Sequence, residues 1–129
     1  MATPMIPFDD RDGYIWMDGK MIPWREAMIH VMTHSLHYSG AVFEGARSYS
    51  GNIFKLREHS QRLLDSGQLI HLNIPFSLET LEEASREVME ANGLKDGYLR
   101  PLAWRGAEQM GVSVKDFPAK VMIACWAWP

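Results

Sequence analysis

Apolar and polar positions along this chain follow two periods, one suited to strands and one to helices. Two short apolar runs, 14–17 and 20–24, flank Asp18-Gly19. Asp-Gly between such runs predicts a β-hairpin, because a two-residue turn of this kind needs positive φ at its centre. Residues 26–38 mix methionines with three histidines at no clean period and read as irregular or as a short helix. Residues 41–49 read as a strand carried by Val42, Phe43 and Tyr49, Ser50-Gly51-Asn52 as a turn, and 53–56 as the returning strand. The period then changes. Leu56, Leu63, Gly67 and Ile70 share one face at helical spacing and predict a helix over 57–70, and Pro75 interrupts the chain after it. Thr80-Leu81-Glu82-Glu83 has the form of a capping box, Leu81, Ala84, Val88 and Ala91 form a stripe, and Asn92-Gly93 supplies a left-handed stop. Strands return at 97–105 and 120–128, separated by a loop holding Gly106, Gly111 and Pro118.

Strands, then two helices, then strands predict an α+β fold with an antiparallel sheet packed against two main helices, and argue against an alternating βαβ fold. With 129 residues and 47% hydrophobic content the chain suffices for one core. Residues 1–12 read as an N-terminal extension and 13–129 as one small domain. The strand-like segment that ends at Trp128 is apolar and rich in tryptophan. Domain termini are ordinarily polar and solvated, so the expectation is that further chain follows.

Charge narrows the function classes. Thirteen basic against sixteen acidic residues give a net charge of -3, which disfavours a phosphate-backbone surface even though Tyr98-Leu99-Arg100 and Trp104-Arg105 interleave bases with aromatics. One cysteine, Cys125, forms no intrachain disulfide and fits a reducing, cytoplasmic setting. Its position between Ala124 and Trp126 in a strand marks it as a buried, inert thiol. No secretory h-region and no apolar run long enough to span a bilayer occurs. His34, His37 and Glu44 could in principle be gathered around a metal, but their spacing matches no recognised ligand set, so no metal is expected. No dinucleotide or P-loop glycine fingerprint is present. Five tryptophans, nine methionines and nine Tyr or Phe residues read first as a well-filled core, the alternative being that some of this surface is meant for a partner subunit or second domain.

Four ordered segments carry a more specific message. His34-Ser35-Leu36-His37-Tyr38-Ser39-Gly40-Ala41-Val42-Phe43-Glu44-Gly45-Ala46-Arg47 resembles the signature near the start of branched-chain amino acid aminotransferases, fold type IV (class IV) pyridoxal-phosphate enzymes. Arg57-Glu58-His59-Ser60-Gln61-Arg62-Leu63 resembles the helix that follows there. Tyr98-Leu99-Arg100-Pro101-Leu102 and Met110-Gly111-Val112 resemble the next two motifs, and Tyr14-Ile15-Trp16-Met17-Asp18-Gly19 resembles the opening. The resemblance runs from about Tyr14 to Trp128.

The resemblance implies roles. Arg62 would bind the phosphate of pyridoxal 5'-phosphate, a task suited to a planar guanidinium with paired donors; as a plain surface residue it would instead pair with Glu58 one turn earlier. Tyr38, Phe43, Tyr98 and Trp128 would wall the pocket for a branched aliphatic side chain, which gains affinity by leaving water. Arg100 would meet the distal carboxylate of glutamate, the amino donor, with Arg47 adding to that polar end. Val112 and Tyr38 would reach the neighbouring subunit's site, implying a symmetric homodimer. The parent reaction would move the α-amino group of Leu, Ile or Val to 2-oxoglutarate through pyridoxamine phosphate.

The lysine that carries the cofactor, and the glutamate facing its pyridine nitrogen, belong in that family to a second domain. Lys20, Lys55, Lys95, Lys115 and Lys120 match none of its lysine motif, so this chain is expected to hold no catalytic residue and to be inactive alone. Alternatives within the superfamily are an amine or D-amino acid transaminase and an aminodeoxychorismate lyase. Outside it stands a non-catalytic association domain.

Overall fold

The computed structural model describes residues 4–113 and 117–129. The chain runs β1 (Tyr14–Met17), β2 (Lys20–Pro23), a 3-10 turn (Trp24–Glu26), α1 (His34–Tyr38), β3 (Ala41–Phe43), β4 (Ala46–Tyr49), β5 (Asn52–Ile53), α2 (Leu56–Leu69), α3 (Leu78–Ala91), β6 (Gly97–Trp104) and β7 (Lys120–Trp126). Every strand pairing is antiparallel, and one sheet takes the order β2-β1-β7-β6-β4-β5, with β3 also pairing with β6. The α+β architecture expected from the sequence is present.

The hairpin turn forms at Asp18-Gly19 with both residues at positive φ, 49° and 94°. Asp18 also accepts a hydrogen bond from the backbone N–H of Val121 at 2.8 Å, which ties this turn to the start of β7. Period-two alternation in β6 and β7 then sorts side chains onto two faces. Leu99 and Ala103 of β6, with Val121, Ile123 and Cys125 of β7, join Leu63, Leu81, Ala84 and Val88 in the main core between sheet and helices. Ile15, Trp24 and Ala124, with Met17, Met122 and Trp126 around them, form a second cluster. These residues alternate with the first set, so they lie on the sheet face that α2 and α3 leave uncovered. Phe8, ahead of β1, lies against this second cluster: it meets the Trp126 ring edge-on at 5.1 Å, and its carbonyl accepts from the Trp24 indole.

Four local expectations need correction. The strand expected over 41–49 is two strands, broken at Glu44-Gly45, although Glu44 N–H still donates to Pro101 O at 3.0 Å. The returning strand keeps only Asn52–Ile53, because Leu56 already opens α2 and is buried by it. The cap of α3 is Ser77, whose side chain accepts from Thr80 N–H; Thr80 lies inside the helix. Phe76 precedes this cap and packs on the core that contains Leu81, so a hydrophobic residue on each side of the cap fixes the entry angle. Finally, Ala91 is exposed and Met89 takes its place in the buried stripe.

Candidate active site

The open sheet face carries most of the residues singled out by the resemblance. Strand register places Arg47, Tyr98 and Trp126 in one row across β4, β6 and β7. Two residues further along β6, Arg100 stands opposite Ala124, and Leu102 pairs with Phe43 of β3. The Arg100 guanidinium donates from Nε and Nη2 to the Tyr98 hydroxyl at 3.2 and 3.0 Å and lies 4.4 Å from the Phe43 ring centroid. Tyr98 meets the Trp128 ring edge-on at 4.9 Å, and Arg47 Nη1 donates to the Trp128 carbonyl. Phe43, Arg47, Tyr98, Arg100 and Trp128 thus form one connected wall of aromatic rings threaded by two guanidiniums. Phe43 and Trp128 remain 59% and 50% exposed, so the wall faces outward.

Sequence reasoning missed Trp126, which packs on both Tyr98 at 5.0 Å and Trp128 at 5.8 Å. Its signal was the two-residue offset from Trp128. Gly45 also belongs here, since a Cβ at that position would lie 2.2 Å from the Tyr98 hydroxyl. The break between β3 and β4 therefore lets backbone approach the phenol as closely as only glycine permits.

Arg62 lies on α2 and pairs with Glu44, not with Glu58. Nε donates to Glu44 Oε2 at 2.6 Å and Nη2 to Oε1 at 2.9 Å, a bidentate fork, while His59 Nδ1 donates to Oε1 at 2.8 Å. Glu44 is buried at 4% exposure, whereas the Arg62 side chain is 68% exposed. Burial alone would push the Glu44 carboxyl up. Hydrogen bonds from Arg62 and His59 outweigh it and hold the group below the usual carboxylate range. The carboxylate in turn raises Arg62, so the pair stays ionised. Glu44 and His59 were not singled out as partners of Arg62 from the sequence. The signal was the three-residue spacing of His59 and Arg62, which sets both on one helix face.

Tyr38 and Val112 form a separate group. Tyr38 donates its hydroxyl to Met110 O at 3.0 Å, and buried His34, its ring 4.5 Å away, donates from Nε2 to Gly111 O at 2.8 Å. These contacts anchor the loop from which Val112 projects, 78% exposed. No hydrogen bond or ring contact among the described residues joins Tyr38 or Val112 to the wall. His37 binds Val31 O instead, so His34, His37 and Glu44 go to different partners, and no cluster of three possible metal ligands occurs among the described residues.

The open face also holds an apolar cavity of about 320 Å³, lined by Ile15, Met17, Leu36, Leu102, Trp104 and Met122. It adjoins the wall through β6 but none of the wall residues lines it. Cys125 is buried, and desolvation pushes its thiol up to about 11 against a hydrogen bond from Asn92, so it stays protonated. Lys20, Lys55 and Lys95 are exposed, and Lys120 is paired with Glu108 at 2.9 Å; Lys115 lies outside the described residues.

Comparison with known proteins gives the class. Residues 41–129 match the model of amino-transferase class IV, and the chain belongs to that family. Among its relatives, the probable branched-chain-amino-acid aminotransferase of Rickettsia felis is 42% identical over 120 residues, covering 93% of this chain and 41% of the relative. The branched-chain-amino-acid aminotransferase of Pseudomonas aeruginosa is 42% identical over 123 residues, covering 92% and 40%. The crystal structure of the T.th. branched-chain amino acid aminotransferase complexed with N-(5'-phosphopyridoxyl)-L-glutamate superposes with a TM-score of 0.86 at 45% identity, covering 92% of this chain and 42% of that one. The chain therefore spans about two fifths of the length of these relatives. No helix among the described residues is long and apolar enough to cross a membrane.

Proposed function

We propose that this chain is the small domain, residues 13–129, of a pyridoxal-phosphate transaminase that exchanges amino groups between Leu, Ile or Val and 2-oxoglutarate. The observation that carries the reading is the wall itself. Phe43, Tyr98 and Trp128 offer apolar surface to an aliphatic side chain, and Arg100 and Arg47 stand within the same surface to meet a carboxylate. A pocket that must accept both leucine and glutamate needs both chemistries in reach.

Arg62 fits the cofactor's phosphate. Its Nε–Nη2 edge is fixed on a buried carboxylate, and the remaining donors lie on an exposed guanidinium. Bound pyridoxal phosphate would supply the electron sink for moving the amino group. This chain's own residues would anchor the phosphate, shape the pocket and exclude water from it. The lysines among the described residues are exposed or ion-paired and offer no desolvated amine, and the 129-residue chain alone is proposed to be inactive. Tyr38, exposed at the end of α1, and Val112, exposed on the loop that Tyr38 anchors, are proposed to serve the neighbouring subunit of a homodimer.

The test is an amino-donor panel on the full polypeptide supplied with pyridoxal phosphate, using 2-oxoglutarate as acceptor. The reading expects turnover with Leu, Ile and Val, and none from residues 1–129 alone. Preference for a D-amino acid or a simple amine, or release of pyruvate from aminodeoxychorismate, would replace it with one of the sister activities. Turnover by residues 1–129 alone would refute the inactivity.

A further inference from the structure

We infer that Glu44 is a positioning residue for the phosphate anchor, setting through Arg62 how tightly a phosphorylated cofactor is held; this rests on the reading of Arg62 given above. Three observations converge on it. Glu44 sits in the break between β3 and β4, directly after wall residue Phe43, and its backbone is pinned by donation to Pro101 O at 3.0 Å. Its carboxylate is buried and accepts three hydrogen bonds, two from Arg62 and one from His59. Arg62 is by contrast mostly exposed, on the outer side of that carboxylate.

A guanidinium on a flexible stem loses rotamer entropy when it grips an anion. Here a fixed carboxylate has already removed that freedom: the Nε–Nη2 edge is occupied, and the end-on Nη1–Nη2 edge is left for a second oxyanion. His59 completes the arrangement by fixing Oε1, so the carboxylate cannot rotate away from Arg62. The same buried element links the two halves of the site. Phe43 and Glu44 are consecutive, so the substrate wall and the phosphate anchor are held in one frame by the β3–β4 break.

Two effects of Glu44 oppose each other. Its negative charge weakens the attraction of Arg62 for phosphate, while its fixed geometry pre-organises the fork. The inference is that geometry wins, because an exposed arginine on a flexible stem must otherwise be oriented at an entropic cost on binding, and the fixed carboxylate removes that cost beforehand.

The experiment measures equilibrium binding of pyridoxal phosphate, and of pyridoxal lacking the phosphate, to the cofactor-free full polypeptide. Wild type is compared with Glu44→Gln, Glu44→Asp, Arg62→Ala and the double variant Glu44→Gln/Arg62→Ala. Glu44→Gln should weaken pyridoxal phosphate roughly tenfold, the scale of one charged hydrogen bond. It should leave pyridoxal within about twofold and add nothing to the loss caused by Arg62→Ala. A merely structural role would weaken both ligands alike. Unchanged or tighter pyridoxal phosphate binding in Glu44→Gln, or additive losses in the double variant, would overturn the inference while leaving the Arg62 reading intact. No loss in Arg62→Ala would overturn the phosphate reading and this inference with it. If Glu44→Gln fails to fold, Glu44→Asp carries the same test: a carboxylate one methylene shorter should give a smaller loss of the same phosphate-dependent kind, and an equal loss for both ligands would count against the inference.

Discussion

Single residues decide how the two halves of the site are fixed, and Glu44 shows the energetics most clearly. A buried carboxylate costs free energy unless its oxygens are fully paired, and Arg62 and His59 supply that pairing. The consequence for pH follows from the direction of the shift. Glu44 is held below the usual carboxylate range in the folded chain, so its stabilising contribution is complete above that range and is lost as pH falls through its lowered value. Urea midpoints followed from neutral pH into acid should therefore fall more steeply for wild type than for Glu44→Gln, which has no proton to gain at this position; parallel curves would show that Glu44 gives no such stabilisation. Much at this scale was legible in the sequence. Phe43, Arg47, Tyr98 and Arg100 stand out in the ordered motifs and come together on one sheet face, where Trp128, just past β7, joins them. What sequence could not show was the partner of Arg62. On a helix Glu58 is the local candidate, and only the fold of β3 against α2 brings Glu44 closer.

At the level of elements, local chemistry is readable where it is self-contained and misleading where tertiary contacts choose between neighbouring options. Asp18-Gly19 makes its turn because positive φ is a property of those two residues. The start of α3 was less determined, since Ser77 and Thr80 both have cap chemistry. Ser77 wins because Phe76 before it and Leu81 after it both enter the core, which fixes where the helix must begin. Ser77→Ala should accordingly cost about 0.5–2 kcal/mol in denaturant unfolding, whereas Thr80→Ala should cost clearly less. Equal losses would contradict Ser77 as the cap that sets the start of the helix. The break between β3 and β4 was illegible for a related reason. Periodicity describes 41–49 as one strand, and it is the close approach of Gly45 to Tyr98, a contact across the sheet, that interrupts it.

At the scale of the described chain, one sheet face is closed by α2 and α3 and the other carries the wall of rings and guanidiniums, while Arg62 of α2 meets Glu44 at the β3–β4 break. That asymmetry gives physical content to the surplus of aromatic and methionine residues in the sequence: the helices use the core set, while Trp126, Trp128, Met17 and Met122 belong to the uncovered face. Family membership follows from the match over residues 41–129, and the proposed substrate reading is supported by one wall that presents both aromatic rings and guanidiniums. The most direct test of that dual wall is the pair of half-reactions of the full cofactor-loaded polypeptide, with leucine and with glutamate, in Arg100→Ala. Removing the guanidinium should slow the glutamate half-reaction by roughly a hundredfold, the loss of a charged contact to the distal carboxylate, and change the leucine half-reaction only a few-fold. Equal losses with both amino acids would contradict the account.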